Sequence, residues 1–203
     1  LPSNPSVSFT LQNCKTDMRV CLEAKSKSAQ RDVIVVFEGV ERPSFLPKIN
    51  KFLSHLTDHL AFLKDYSLVI DSSNSFPHSS GIASSASSMA ALALCLVDLE
   101  AMHKGNTLVD DDFFKRASFF ARIGSGSAAR SLYSGAVSWG EYDGRGNDEY
   151  AEQVSLHDSL NSLQNSILIV EAGQKKVSST VGHGLMNGHD FAEARFKQAV
   201  KHW

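Results

Sequence analysis

After Pro77 the chain is built almost entirely of small residues: Ser79, Ser80, Gly81, Ala83, Ser84, Ser85, Ala86, Ser87 and Ser88. Small side chains leave backbone N–H groups open to a ligand, and serine hydroxyls add neutral hydrogen bonds to phosphate oxygens or to a metal ion. A second stretch of similar chemistry runs Ala121-Arg122-Ile123-Gly124-Ser125-Gly126-Ser127-Ala128-Ala129-Arg130-Ser131-Leu132. Here a guanidinium lies just beyond the open backbone, and its planar fork suits a carboxylate or phosphate. A third, Lys175-Lys176-Val177-Ser178-Ser179-Thr180, offers two cations and three hydroxyls. All three favour anions. A lysine-bearing loop of the G-x-x-x-x-G-K-[ST] type is absent, so any nucleotide charge has to be met by a helix dipole, Mg²⁺ and residues from elsewhere.

Elements must hold these loops in place. Tyr66 to Asp71 is a β-branched and apolar run that reads as a half-buried strand. From Met89 through Ala90, Ala93, Leu94, Leu96 and Val97 the composition is that of a buried helix of about four turns, starting among the serines. An isolated Ser-rich loop is commonly a linker. A strand before it, a core helix after it and Pro77 stiffening its start favour an anion cradle at a helix N-terminus instead. Asp110 to Asp112 begin another helix with Phe113, Phe114, Ala117, Phe119 and Phe120 on its buried side, ending at Gly124 ahead of the second loop.

Upstream, Val7, Phe9 and Leu11 alternate with polar residues, as do Met18, Val20 and Leu22, and Asn13 to Thr16 would join the two runs as an antiparallel hairpin. Val33 to Phe37 is a third strand, and one mixed sheet is expected for all of these. Ile49, Phe52, Leu53, Leu56, Leu60 and Leu63 fall on one helical face, with Pro47 in a first turn. His55 and His59 on it are read as a solvated face, because the position after His55 lacks a metalloprotease glutamate. Gly135 to Trp139 reads as a strand, Glu141 to Glu152 as a surface loop or hairpin tip, Ser166 to Glu171 as a fully buried strand and Asp190 to Trp203 as an amphipathic helix.

The 203 residues are 42% hydrophobic and 21% charged with a formal net charge of −2. That is an ordinary composition for a globular core. No basic field for nucleic acid is present and no cationic cluster marks a membrane surface, so neither partner is expected. Cys14, Cys21 and Cys95 have no metal-ligand spacing, no protein metal site is expected, and a reducing cytoplasm is the simplest home.

Phe76-Pro77-His78-Ser79-Ser80-Gly81-Ile82-Ala83-Ser84-Ser85-Ala86 resembles the phosphate-binding motif of the GHMP kinase superfamily, and its Ala-Ser-Ser-Ala form resembles the diphosphomevalonate decarboxylase branch. Leu1 to Leu11 resembles the segment after that family's N-terminal strand. Ala121 to Leu132 is similar to its Ala-Arg-x-Gly-Ser-Gly-Ser-Ala-x-Arg-Ser-Leu signature, and Lys175 to Thr180 to its Lys-Lys-x-Val-Ser-Ser motif. Together these cover nearly the whole chain in the family's order.

The resemblance implies an α+β GHMP-kinase-like N-terminal domain, of the ribosomal protein S5 domain 2-like type, with mixed and antiparallel sheet packed on helices. It places that domain at residues 1–189, incomplete at its N-terminus, and the start of a C-terminal domain at 190–203. The family's Lys-Tyr-Trp-Gly-Lys-type segment and its Asp-Ala-Gly-Pro motif are not in the chain, which is expected to be part of a longer protein. The implied activity is ATP-dependent decarboxylation of mevalonate 5-diphosphate to isopentenyl diphosphate, with Mg²⁺ and a homodimer. Gly81, Ala83, Ser84 and Ser85 would then cradle the ATP phosphates, while Ser72 and Asn74 meet the nucleoside. Ser125, Gly126 and Ser127 would hold the substrate, Arg130 its carboxylate, and Lys176 and Ser179 its diphosphate. Arg130, Ser85 and Ser125 are the implied catalytic set. A superfamily kinase that stops at phosphoryl transfer, and a non-catalytic binding member, are the alternatives.

Overall fold

The computed structural model describes residues 1–25, 32–78, 81–106, 109–160, 162–168, 177 and 179–203. Two sheets and two long helices make the frame. Strands β1 (Ser6–Phe9), β2 (Thr16–Ala24), β3 (Val33–Phe37) and β4 (Val40–Glu41) precede helix α1 (Leu46–His55). Strand β5 (Tyr66–Asn74) leads to α2 (Ser84–His103) and α3 (Asp111–Gly124). A 3-10 helix follows at Gly126–Leu132, then β6 (Ala136–Trp139), β7 (Glu152–Val154), α4 (Ser179–Gly184) and α5 (Ala192–Lys201).

The four-stranded sheet has the order β2-β5-β3-β4 and is mixed: β5 is antiparallel to β2 and parallel to β3. Its alternation is regular, with Val33, Val35 and Phe37 of β3 and Leu68 and Ile70 of β5 buried. Helix α2 packs against β2, α3 and the 3-10 helix. It is therefore covered on several sides, which explains why it is apolar well beyond one stripe. Ala93 and Leu96 are completely buried and Leu92 is 1% exposed. Full burial of each leucine contributes roughly 1.5–3 kcal/mol. By length and composition α2 is also apolar enough to cross a membrane, but Ala86, Met89, Ala90, Leu92, Ala93, Leu96 and Val97 lie inside the protein core. The helix runs 20 residues, Ser84–His103, starting among the serines as expected and continuing past Val97 to His103, longer than the expected four turns.

Two expectations about the strands fail. β1 and β2 do not form a hairpin: β1 pairs with β6 (Ser6 opposite Trp139) in a separate antiparallel sheet of order β1-β6-β7, whereas β2 pairs with β5 throughout. Alternation identifies a pleated strand but carries no information about its partner, and a nearby turn is only one way to find one. The single sheet is accordingly two sheets. The buried strand expected at Ser166 to Glu171 is also corrected, since Ser166, Ile167 and Leu168 are exposed and form no strand, Leu168 being 88% exposed. Residues 169–171 of that stretch lie outside the described residues. A short apolar run looks the same whether a core covers it or not.

Helix α3 agrees with its sequence signals, whereas the helix expected to carry Ile49 through Leu63 stops at His55: Leu60 lies beyond it and Leu63 in a separate 3-10 helix, Ala61–Asp65, both still turned to the core side. Asp110 caps α3, accepting from the Phe113 N–H at 2.9 Å, and Asp111 and Asp112 follow in the first turn. Both the cap and the acidic first turn satisfy the open amides at that end. The α3 C-terminus lies tight on α2: a Cβ on Gly124 would come 2.7 Å from Met89 Sδ and 3.1 Å from the Phe52 ring, so a larger residue would make those side chains shift. His55 and His59 are both exposed, as expected of a solvated face, and the edge of the His59 ring rests near Phe119 and Phe120 at 5.4 and 5.6 Å.

One buried carboxylate ties α2 to α3. Glu100 is 4% exposed and accepts from Arg116 Nη2 at 2.8 Å and Lys104 Nζ at 2.6 Å. Desolvation pushes its carboxyl pKa up, but the hydrogen bonds and charges of Arg116 and Lys104 outweigh that and hold it below the ordinary 4.5. A carboxyl lowered in the folded state stabilises above its unfolded value, and that contribution drains away as pH falls through the folded one. Arg116→Ala leaves the carboxylate underpaired and is expected to cost about 2–3 kcal/mol at neutral pH. Urea melts between about pH 7 and pH 3 should show the variant losing less stability than the parent below about pH 4.5. Identical acid limbs in the two proteins would remove Glu100 from the account.

Candidate active site

The serine loop arrives from β5. Gly81 has φ +97° and Ala83, the N-cap of α2, sits in the left-handed region at φ +56°. A non-glycine residue is unusual there and needs support from its surroundings. The helix behind it supplies that support, since Ala83 O accepts from Ala86 N at 2.8 Å and from Ser87 N at 3.2 Å. Ala83 offers no side-chain cap and the first turn carries no acidic residue, so the amide dipoles are neither capped nor neutralised. Ser84 is half-buried and Ser85 exposed. The loop residues Ser79 and Ser80 lie outside the described residues.

A cation unremarked in the sequence reaches this point. Lys48, in the first turn of α1, donates through Nζ to Ser85 Oγ, and desolvation pulls its pKa below the ordinary value. Lysine in a first helical turn opposes the helix dipole, and that mismatch is the one sequence signal that could have drawn attention to it.

The end of β5 lies beside the same turn. Thr16 Oγ1 is 2.7 Å from Asn74 Oδ1 and 2.8 Å from Ser87 Oγ. With one proton, the Thr16 hydroxyl donates to the amide oxygen and accepts from Ser87. This fixes Asn74, whose buried Nδ2 has no partner among the described residues. Ser72, two residues earlier on the same face, is half-buried and its backbone carbonyl accepts from Glu38 N at 2.9 Å. Beyond the strand, the His78 ring leans on Phe37 and Phe45 at 5.3 and 5.4 Å.

The second loop meets the first across α2. Gly124 abuts Met89, which lies five residues along α2 from Ser84. At the helical rise per residue that is about 7.5 Å. From there Ser125 turns into extended backbone at φ −163° and the 3-10 helix begins. The chain therefore makes a 3-10 helix here, over Gly126–Leu132. Ala128 and Ala129 are fully buried, which leaves Ser125 half-buried and Gly126 and Ser127 exposed on the outer side. A Cβ at Gly126 would meet the Trp139 ring at 3.1 Å.

Arg130 is the centre of this half. Its Nη1 donates to Ser6 Oγ at 2.7 Å, its Nε to Ser8 Oγ at 3.0 Å, and its guanidinium carbon lies 5.7 Å from the Trp139 ring centre. No ion pair among the described residues involves it. Burial lowers its pKa, yet a guanidinium remains charged at neutral pH. Its backbone is pinned by Ser118, a fully buried hydroxyl that donates to Ala129 O at 2.9 Å and accepts from Ala151 N at 2.8 Å. Arg122 adds a clamp on the β6–β7 connection through Glu149, at 2.9 Å to its carbonyl and 2.7 Å to its carboxylate. Neither Ser118 nor Arg122 was singled out from sequence for this role; buried hydroxyls inside a helix have no pattern of their own.

The structure thus gathers Ser84, Ser85 and Asn74 at one end of α2, with Ser72 two residues earlier on β5 beside β2 and β3, and sets the Ser125–Arg130 turn against the first turns of the helix. Lys176 lies outside the described residues, and Ser179 opens α4 with its side chain likewise not described. What this arrangement can do chemically is bind two anions close together, one on an uncapped helix start with a lysine, the other on a turn with an unneutralised guanidinium.

Fold and site define an α+β domain of the GHMP kinase type. The chain belongs to the family described as the diphosphomevalonate decarboxylase-like N-terminal domain, whose model matches residues 1–151. A diphosphomevalonate decarboxylase of Ganoderma lucidum is 33% identical over 90% of this chain and 46% of its own length. The solved structure of mevalonate diphosphate decarboxylase from Staphylococcus aureus superposes with a TM-score of 0.75 at 26% identity, covering 98% of this chain and 56% of that one. A structure of the protein designated MDDEF in complex with MVAPP, AMPPCP and magnesium gives a TM-score of 0.76 at 27% identity, over 99% of this chain and 57% of that one. The chain spans about half the length of the curated relatives it matches.

Proposed function

We propose that the protein carrying this chain converts mevalonate 5-diphosphate and ATP to isopentenyl diphosphate, ADP, phosphate and CO₂. The observation that carries this reading is Arg130: a desolvated guanidinium held by neutral hydroxyls, beside a Ser-Gly-Ser turn and packed on the helix whose N-terminus is an uncapped serine loop. A kinase needs the second feature; a site that also grips a carboxylate until it leaves needs the first.

Bound Mg-ATP would supply the phosphoryl group that turns the substrate's 3-hydroxyl into a leaving group. The fit to this structure rests on the uncapped amides after Ala83, on Lys48 at Ser85 and on the orphaned, buried Asn74 Nδ2. Gly81, Ala83, Ser84, Ser85 and Lys48 hold phosphate oxygens in this reading, and Ser72 and Asn74 the nucleoside. The MVAPP–AMPPCP–magnesium complex of the structural neighbour supports the pairing of ligands. Ser125, Gly126 and Ser127 seat the hydroxy acid diphosphate, with Lys176 and Ser179 extending that pocket. Arg130 takes the carboxylate with two parallel N–H···O bonds, so that the C–C bond electrons move into the new alkene as phosphate departs.

Residues 1–189 form the nucleotide-side domain in this reading and 190–203 open the second, in keeping with α5, which buries none of its residues. A homodimer in a reducing cytoplasm completes it, with Cys14, Cys21 and Cys95 all free thiols. The test is an assay on the full-length gene product with Mg-ATP and mevalonate 5-diphosphate, following ADP and CO₂ together. Equal release of both is expected. ADP without CO₂ would replace the reading by a kinase, and neither product by a binding protein.

A further inference from the structure

We propose that Ser6 and Ser8 of β1 are positioning residues that form a neutral seat for the Arg130 guanidinium, orienting it without cancelling its charge. For its kinetic consequence this rests on the function proposed above; the geometry does not.

β1 reverses the usual arrangement of an amphipathic strand. Ser6 and Ser8 face inward to Arg130, while Val7 and Phe9 point outward, 46% and 51% exposed. Exposing two large apolar side chains to place two hydroxyls inside forfeits burial, so the inward hydroxyls need another reason. Their partner provides it. Pairing with β6 puts Ser6 opposite Trp139 and Ser8 opposite Val137, so the seat and the Trp139 ring beneath Arg130 belong to one piece of sheet. Two of the five guanidinium N–H groups are engaged by the serines, leaving the rest for a ligand. A carboxylate in place of either hydroxyl would hold the arginine more strongly, but it would neutralise the charge and repel an anionic substrate. Ser118 completes the device from the other side by fixing the carbonyl just before Arg130.

The variant Ser6→Ala/Ser8→Ala in the full-length gene product tests this in two ways. Phenylglyoxal modifies free guanidinium groups, and its rate at Arg130, mapped by peptide mass spectrometry against exposed Arg19, should rise about threefold or more once the seat is gone. In the same variant kcat/KM for mevalonate 5-diphosphate should fall about 10- to 100-fold, with KM for ATP unchanged within about twofold and Tm close to that of the parent. Ser6→Thr/Ser8→Thr keeps both hydroxyls and suits a strand, so it should restore most of the loss. Should the double alanine variant not fold, Ser8→Ala alone carries the same readouts.

An unchanged modification rate at Arg130 would overturn the seat, and so would lost turnover that threonine fails to restore. Absence of CO₂ release by the parent protein would instead overturn the proposed function while leaving the modification result to decide the seat.

Discussion

Arg130→Ala is expected to lower kcat/KM for mevalonate 5-diphosphate by about 10²-fold or more while the protein stays folded. The expectation rests on where the cost falls. In the free protein Arg130 makes two hydrogen bonds to serine hydroxyls that can turn to water. Its removal there destabilises by only about 1 kcal/mol. In the complex it would be the desolvated cation facing the reacting carboxylate, and its loss would leave that carboxylate unpaired away from water. Arg130→Lys should recover little, because a point charge on a flexible stem cannot contact Ser6, Ser8 and a carboxylate at once. The measurement is steady-state kinetics on the full-length gene product with thermal melts alongside. Turnover near that of the parent in Arg130→Ala would end the role assigned to it.

The second large effect is expected at the other end of the site. Ser85 is exposed, and its hydroxyl contributes nothing to the core. Ser85→Ala should therefore reduce kcat about 10- to 100-fold with Tm within about 2 °C of the parent. Lys48→Ala should show a loss of similar size, because Lys48 meets the helix start through Ser85. Two groups that act as a unit give less than the product of their separate losses when both are removed, so the double variant should fall short of multiplicativity by about tenfold. Fully multiplicative losses would separate the two residues, and equal falls in activity and Tm would return Ser85 to the status of an ordinary first-turn serine.

Both effects depend on residues of very different legibility. Ser85 and Arg130 stand in stretches whose composition is unusual in itself: consecutive small residues between a strand and a core helix, and a Gly-Ser-Gly-Ser turn followed by arginine. Such patterns are local, and local chemistry can be read from neighbours in the chain. The caps of α3, the length of β3 and the span of β6 belong to the same class, being written in residues close together in the chain. Lys48 and Ser118 do not. A lysine after Pro47 and a serine between Ala117 and Phe119 are commonplace until the fold sets one against Ser85, 37 residues away, and the other against Ala129 and Ala151.

The strands show the boundary most clearly. Alternation at Val7 to Leu11 and at Met18 to Leu22 correctly announced pleated backbone, yet it led to a hairpin where β1 crosses to the distant β6 and β2 to β5. It also could not say which face of β1 lies inward, since a period of two is the same for either choice. Only packing decided that the serine face would turn toward Arg130 and leave Val7 and Phe9 outside.

By itself, then, the amino-acid sequence determined the α+β class, the places of the two Ser/Gly-rich turns and the family, because these rest on propensities, caps and motifs confined to short windows. The tertiary structure alone decided strand partners, the inward hydroxyl face of β1, the reach of Lys48 to Ser85 and the pinning of Arg130 by Ser118. Each of those joins residues far apart in the chain, and such pairings are selected by the burial and hydrogen bonding of the whole domain rather than by any segment of it.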